Sequence, residues 1–116
     1  CFQALGQQRY LSLLKQVDVM IGNSSSGIIE GPYFKVPTVN IGERQTGRIK
    51  THSVIDCHMK TDDIVNAIKL ALSQAHHQKM EAMPLPYGEG KASPQIIDVI
   101  KKTNLQQTMS KPFFDV

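Results

Sequence analysis

One segment constrains this chain more than any other. Val17-Asp18-Val19-Met20-Ile21 is apolar apart from Asp18 and rich in β-branched residues. It runs into Gly22-Asn23-Ser24-Ser25-Ser26-Gly27, a stretch of small residues, and then into Ile28-Ile29-Glu30. A short apolar run that ends at glycine reads as a buried strand over Val17–Ile21. Six small residues cannot form a helix interior, so they read as a turn, followed by a helix from Ile28 to Phe34. Strand, small-residue turn and helix make the first half of a βαβ unit.

The rest of the chain repeats that alternation. Tyr10, Leu11, Leu13 and Leu14 predict a short amphipathic helix over Arg9–Gln16. A turn at Lys35-Val36-Pro37 leads to a second strand, Pro37–Ile41. Gly42–Lys50 reads as a polar loop, and His52–Cys57 as a third short strand. Thr61 is the expected N-cap of a helix over Asp62–Ser73, with Asp62 and Asp63 in its first turn. Ile64, Val65, Ile68, Ala71 and Leu72 are its expected buried stripe, and Gln74–Met83 is a weaker continuation. After a Pro/Gly-rich loop from Pro84 to Gly90, Ser93 is expected to cap a last helix, Ser93–Lys102. Its Ile96, Ile97, Val99 and Ile100 are expected to face inward. The pattern predicts an α/β fold: the C-terminal half of a Rossmann-like domain with a parallel sheet covered on both faces, over 1–103, then a tail over 104–116. The missing strands are expected upstream of Cys1.

Ligands of open α/β sheets sit at the carboxyl ends of the strands. The turn at Ser24, Ser25, Ser26 and Gly27 occupies that position, and a helix start there offers free N–H groups suited to a phosphate. Glu30, one turn further in, is placed to accept from ribose hydroxyls. The alternative is that the serines only cap the helix and Glu30 only complements its dipole. Asn40-Ile41-Gly42-Glu43-Arg44-Gln45-Thr46-Gly47-Arg48 leaves the same sheet edge. Arg44 and Arg48 fit a diphosphate through bidentate contacts, and also fit solvated surface charges.

Composition narrows the partners. Net charge is +3 with scattered basic residues, which does not indicate nucleic acid. No apolar run is long enough to predict a membrane span. Two cysteines, Cys1 and Cys57, make no disulfide framework and suit a cytoplasmic protein. His52, His58, His76 and His77 form neither HExxH nor a Cys/His ligand set, so no metal is expected, and His76-His77 reads as a solvated helix end. Asp18, Asp56, Asp62, Asp63 and Asp98 read as structural.

Together, Ile21–Glu30 and Pro37–Arg48 resemble the C-terminal domain of the hydrolysing UDP-N-acetylglucosamine 2-epimerases, in the branch of sialic acid and capsule synthesis. Leu5–Leu14, Ser53–Cys57, Tyr87–Gly90 and Ala92-Ser93 extend the likeness to about residues 5–101. The resemblance implies a two-domain, glycosyltransferase-B-like enzyme whose C-terminal domain holds UDP. Ser24, Ser25 and the Ser26–Gly27 backbone would hold the diphosphate, Glu30 the ribose, with Arg44 near the phosphates and Arg48 a weaker candidate. It implies removal of UDP with inversion at C2, giving N-acetylmannosamine, by anti elimination and hydration. It also implies no cofactor, a homo-oligomeric full-length protein, and catalytic carboxylates and a histidine in segments that this chain lacks. The fragment alone is expected to be inactive. Glu89 departs from the family's usual Asp. The competing readings are a UDP-diacetamido-sugar 2-epimerase, a UDP-dependent glycosyltransferase of the same architecture, and a nucleotide-binding module without chemistry. Gly31 after Glu30 counts against the glycosyltransferase, which often carries paired glutamates there.

Overall fold

The computed structural model describes residues 4–104. Three strands form one parallel sheet in the order β1 (Met20–Gly22), β2 (Thr38–Ile41), β3 (Val54–Cys57). The first helix, α1, spans Gln7–Leu14 and α2 spans Ser26–Ile29. A 3-10 turn follows at Gly31–Phe34, and then α3 (Thr61–Ala71), α4 (Gln74–Glu81) and α5 (Ala92–Lys102). The parallel α/β sheet expected from the alternation is present.

The alternation of side chains along β2 places the layers. Val39 is fully buried against Ala67 and Ala71 of α3, with Val19, Ile41, Ile55, Cys57 and Ile68 around them. Thr38 points the other way, and its Oγ1 donates to the Gly27 carbonyl of α2 at 3.0 Å. The sheet is therefore covered on both faces at β2, as a parallel sheet requires. Alanines on the sheet-facing side of α3 let that helix approach closely.

Several boundaries differ from the sequence reading. Strand β1 starts at Met20 rather than Val17, because the register pairs Met20 with Thr38 and so places Val19 opposite Pro37. Proline has no N–H for the ladder; its carbonyl accepts from Met20 N–H at 2.8 Å, and pairing begins there. Strand β3 starts at Val54 rather than His52, after a turn at His52-Ser53. The helix expected over Ile28–Phe34 is broken into α2 and the 3-10 turn. Pro32 cannot donate to the Ile28 carbonyl, and Lys35 closes the turn at φ 56. The Lys35 ammonium reaches the last turn of α4, donating to the carbonyls of Met80 at 2.9 Å and Glu81 at 3.1 Å, where a cation is favoured.

In α3, Thr61 is the first helical residue and Lys60 the N-cap, without a side-chain cap. Ala67 takes the buried position, whereas Val65 and Leu72 are exposed. Gln74–Met83 is not a continuation but a separate helix, because Ser73 turns extended and its Oγ accepts from His76 N–H at 3.3 Å. His76 is buried rather than solvated. The largest departure is α5. It begins at Ala92 after Lys91, without a cap from Ser93, and Ile96, Ile97, Val99 and Ile100 are all more than half exposed. Its apolar stripe exists, but none of its residues is buried among the described residues. Apart from Asn104, the tail 104–116 lies outside the described residues, as does Cys1. No described helix is long and apolar enough to cross a membrane.

Candidate functional site

The carboxyl end of β1 opens directly into the serine turn. Gly22 turns the chain out of the strand at φ 149, in the region that favours glycine. Ser26 N–H donates to Ser24 Oγ at 3.3 Å, and Gly27 N–H to the Ser24 carbonyl at 3.3 Å. Ile28 N–H reaches the Ser25 carbonyl at 3.0 Å. The N–H groups of Ser24 and Ser25 meet no acceptor among the described residues. Ser25 is the N-cap and makes no side-chain cap bond, so only Ser24 serves the capping role. Helix α2 is a four-residue turn, so any anion there is held by local N–H groups rather than by a long helix dipole.

The five candidate positions in this segment do not behave alike. The Ser26 hydroxyl shares a hydrogen bond with Tyr10 OH, which ties the turn to α1. Gly27 is buried against Thr38, where its missing side chain allows α2 to touch the sheet. Ser24 and Ser25 remain on the accessible side. Glu30 is half-buried at the far end of α2, and its Oε2 is buried without a partner among the described residues. An unsatisfied carboxylate oxygen is costly, and a donor brought by a ligand would satisfy it.

The second loop comes to the first. Arg44 Nη1 faces Asn23 Oδ1 at 3.5 Å, and Gln45 Nε2 donates to the Asn23 carbonyl at 2.7 Å. Two loops from the carboxyl ends of β1 and β2 thus meet at Asn23, with Arg44 beside the serines. Arg48 is exposed and is not brought to the turn by any side-chain contact. Further along, Lys50 Nζ bridges both Asp56 oxygens at 2.8 and 2.9 Å, and the buried Asn40 donates to Asp56 Oδ1 at 2.6 Å. Burial would raise the Asp56 carboxyl, but the Lys50 and Asn40 hydrogen bonds and the Lys50 charge outweigh it and hold it below its ordinary value. A cavity of about 330 Å³ lies between the loop at Gly42, Glu43 and Gly47 and the end of β3 at Asp56 and His58. Tyr87 OH donates to the Ile49 carbonyl at 3.3 Å, and Tyr33 OH to the Gly88 carbonyl at 2.6 Å, so the Pro84–Gly90 loop braces the same region. Glu89 itself is exposed, 3.5 Å from Lys91.

Sequence reasoning gave no role in the site to Asn23, Gln45 or Tyr10. Asn23 and Gln45 lie inside the motifs singled out above, but nothing in the sequence shows that Gln45 will be buried with its amide on the Asn23 carbonyl. Burial pushes the His76 imidazole below its ordinary value, helped by the charges of His77, Lys79 and His52. It lies in α4 and forms no part of this site. Among the described residues no group of three or more His, Cys, Asp or Glu stands together to hold a metal.

Comparison with known proteins bears on this geometry. The family profile described as UDP-N-acetylglucosamine 2-epimerase matches residues 1–101. The chain is similar to a GDP/UDP-N,N'-diacetylbacillosamine 2-epimerase (hydrolyzing) of Campylobacter jejuni, at 42% identity over 116 residues, covering 99% of the chain and 30% of that protein. It is 33% identical over 114 residues to polysialic acid biosynthesis protein P7 of Escherichia coli, covering 97% of the chain and 29% of that protein. A UDP-N,N'-diacetylbacillosamine 2-epimerase (hydrolyzing) of Legionella pneumophila is 35% identical over 97 residues, covering 84% of the chain and 25% of that protein. The chain thus spans less than a third of the length of these relatives.

Proposed function

The chain belongs to the UDP-N-acetylglucosamine 2-epimerase family, whose fold is glycosyltransferase-B-like, and from that premise we propose that it is the UDP-gripping part of a hydrolysing 2-epimerase. The full-length protein converts UDP-N-acetylglucosamine to N-acetylmannosamine and UDP. The observation that carries the reading is the junction at Asn23, where the serine turn and the Arg44 loop meet at the carboxyl ends of adjacent parallel strands.

In this reading the N–H groups of Ser24 and Ser25 and the Ser25 hydroxyl donate to the diphosphate. Ser26 and Gly27 shape the turn, through Tyr10 and Thr38, rather than touching the ligand with their side chains. Arg44, beside the serines, adds a charge-assisted contact. Glu30 accepts from the ribose hydroxyls. UDP is the leaving group, so donors fixed around its phosphates stabilise the charge that develops as the bond to C1 of the sugar breaks. The acid and base that act at C2 lie outside this chain, and binding a leaving group without them gives little rate.

A second substrate is favoured by a specific observation: two similar proteins, at 42% and 35% identity, are named as diacetylbacillosamine 2-epimerases. A UDP-diacetamido sugar presents the same UDP to the same turn. One experiment tests both. Full-length protein is incubated with each UDP-sugar, and UDP release and the C2 configuration of the free sugar are followed. UDP release with inversion from at least one sugar is expected, and none from the 116-residue chain alone. Full-length protein that releases UDP from neither sugar overturns the activity.

A further inference from the structure

We propose that Gln45 is a positioning residue, which fixes the Ser24 N–H and fastens the Arg44 loop to the serine turn before any ligand arrives. The proposal deepens the diphosphate reading and rests on it. Gln45 is 3% exposed, although Glu43, Arg44, Thr46, Gly47 and Arg48 around it are all exposed. Its loop is folded back tightly, with Thr46 N–H on the Glu43 carbonyl at 2.9 Å and Arg48 N–H on the Gln45 carbonyl at 3.4 Å. That fold turns one side chain inward, and its Nε2 donates to the Asn23 carbonyl at 2.7 Å.

The acceptor is what gives this bond a function. The Asn23 carbonyl and the Ser24 N–H belong to one planar peptide unit and point in opposite directions across it. Holding the carbonyl therefore sets the direction of the N–H, which is one of the donors left for an anion. A donor on the carbonyl also polarises the N–H and strengthens the bond it makes. Arg44, the adjacent residue, is carried to the side chain of the same residue, with Nη1 3.5 Å from Asn23 Oδ1. The far end of the loop is anchored separately through Lys50, Asp56 and Asn40. One side chain thus sets the spacing between the guanidinium and the backbone donors.

A packing role alone does not account for this residue. The Gln45 Oε1 is buried without a partner among the described residues. A buried amide that satisfies only its donor side costs stability, and a methionine of the same length would fill the space more cheaply. The amide is useful here for what it holds.

The test is made on the full-length protein with Gln45→Met, which keeps length and burial and removes the donor, and with Gln45→Ala as a second variant. Hydrogen exchange without ligand should accelerate at the hydrogen-bonded N–H groups of Thr46 and Arg48 in both, while the thermal midpoint of Gln45→Met stays close to wild type. UDP affinity of Gln45→Met should fall about fivefold to tenfold, and uridine affinity should stay unchanged. Unchanged exchange at Thr46 and Arg48 overturns the clamp whatever the ligand. Equal losses of UDP and uridine make Gln45 a general structural residue and overturn the positioning role. A wild-type protein that does not bind UDP sinks the diphosphate reading and this role with it. Wild-type binding that Gln45→Met leaves intact sinks this role alone.

Discussion

Replacing Gly27 with alanine tests how the serine turn is held against the sheet. An ideal Cβ on Gly27 would lie 2.3 Å from Thr38 Cγ2, 2.9 Å from Oγ1 and 3.1 Å from Cβ. Carbon atoms in contact prefer about 3.5–4.0 Å, so α2 and β2 would have to separate by about an ångström. Thr38 cannot easily turn away. It is buried, β-branched, and its Oγ1 is committed to the Gly27 carbonyl at 3.0 Å. Overpacking of this kind costs about 1–3 kcal/mol, and loss of the hydrogen bond about 1 kcal/mol more. The gain from alanine in a helix offsets about 0.5–1 kcal/mol of this. A net loss of about 1–3 kcal/mol is expected, read from the shift of a urea transition in the full-length protein. UDP affinity should fall as well, because the N–H groups of Ser24 and Ser25 move with α2. The double variant Gly27→Ala/Thr38→Ala removes Cγ2 and Oγ1 and leaves only the 3.1 Å approach to Cβ, so it should recover much of the stability. Gly27→Ala at wild-type stability refutes the close-packing argument. So does a double variant no more stable than the sum of its two single changes predicts.

Two further predictions separate local roles. Glu30→Ala should weaken uridine and UDP alike, by about fivefold, while Ser25→Ala should weaken UDP and spare uridine. Calorimetric titration with both ligands decides this, and intact uridine binding by Glu30→Ala would remove the carboxylate from the ribose. His76 predicts a pH dependence of stability. Its folded value is depressed below about 6.5, so beneath that pH the unfolded chain binds more protons than the folded one. Stability contributed by the neutral buried imidazole is complete above about pH 6.5 and is lost as pH falls below it. His76→Leu should flatten the thermal midpoint between pH 7.5 and 5.5 relative to wild type, and parallel profiles would count against burial as the cause.

The parallel sheet was legible because the signals that specify it are local. Short β-branched runs, the glycine after Ile21 and a crossover length suited to a helix leave few other topologies. Boundaries were less legible where a partner strand or a single proline decides them. Val17–Val19 has the composition of a strand, but Pro37 on the neighbouring strand ends the ladder before it. Helix α5 shows a deeper limit. Its periodicity marks one apolar face, and periodicity says nothing of whether another element covers it. Val65 and Leu72 of α3 fail for a related reason, since the sheet accepted the small Ala67 face instead.

The candidate site was legible as two loops and not as one structure. Composition pointed to Ser24, Ser25, Glu30 and Arg44 because each carries a group that a nucleotide diphosphate uses directly. Their arrangement depends on residues whose chemistry looks unremarkable in sequence. Tyr10 comes from a helix upstream, Thr38 from the neighbouring strand, and Gln45 from between two residues that stay in solvent. Each acts on the backbone or on another side chain, so its role exists only once the strands have paired. Adjacent parallel strands bring their carboxyl ends to one edge, and that places Asn23 within reach of the second loop. The topology supplies the proximity, and a few buried polar contacts turn proximity into a fixed spacing of donors. In the proposed reading a ligand with two linked phosphates responds to that spacing, whereas a nucleoside does not. The difference between UDP and uridine affinities is therefore the measurement that separates the grip from the rest of the site.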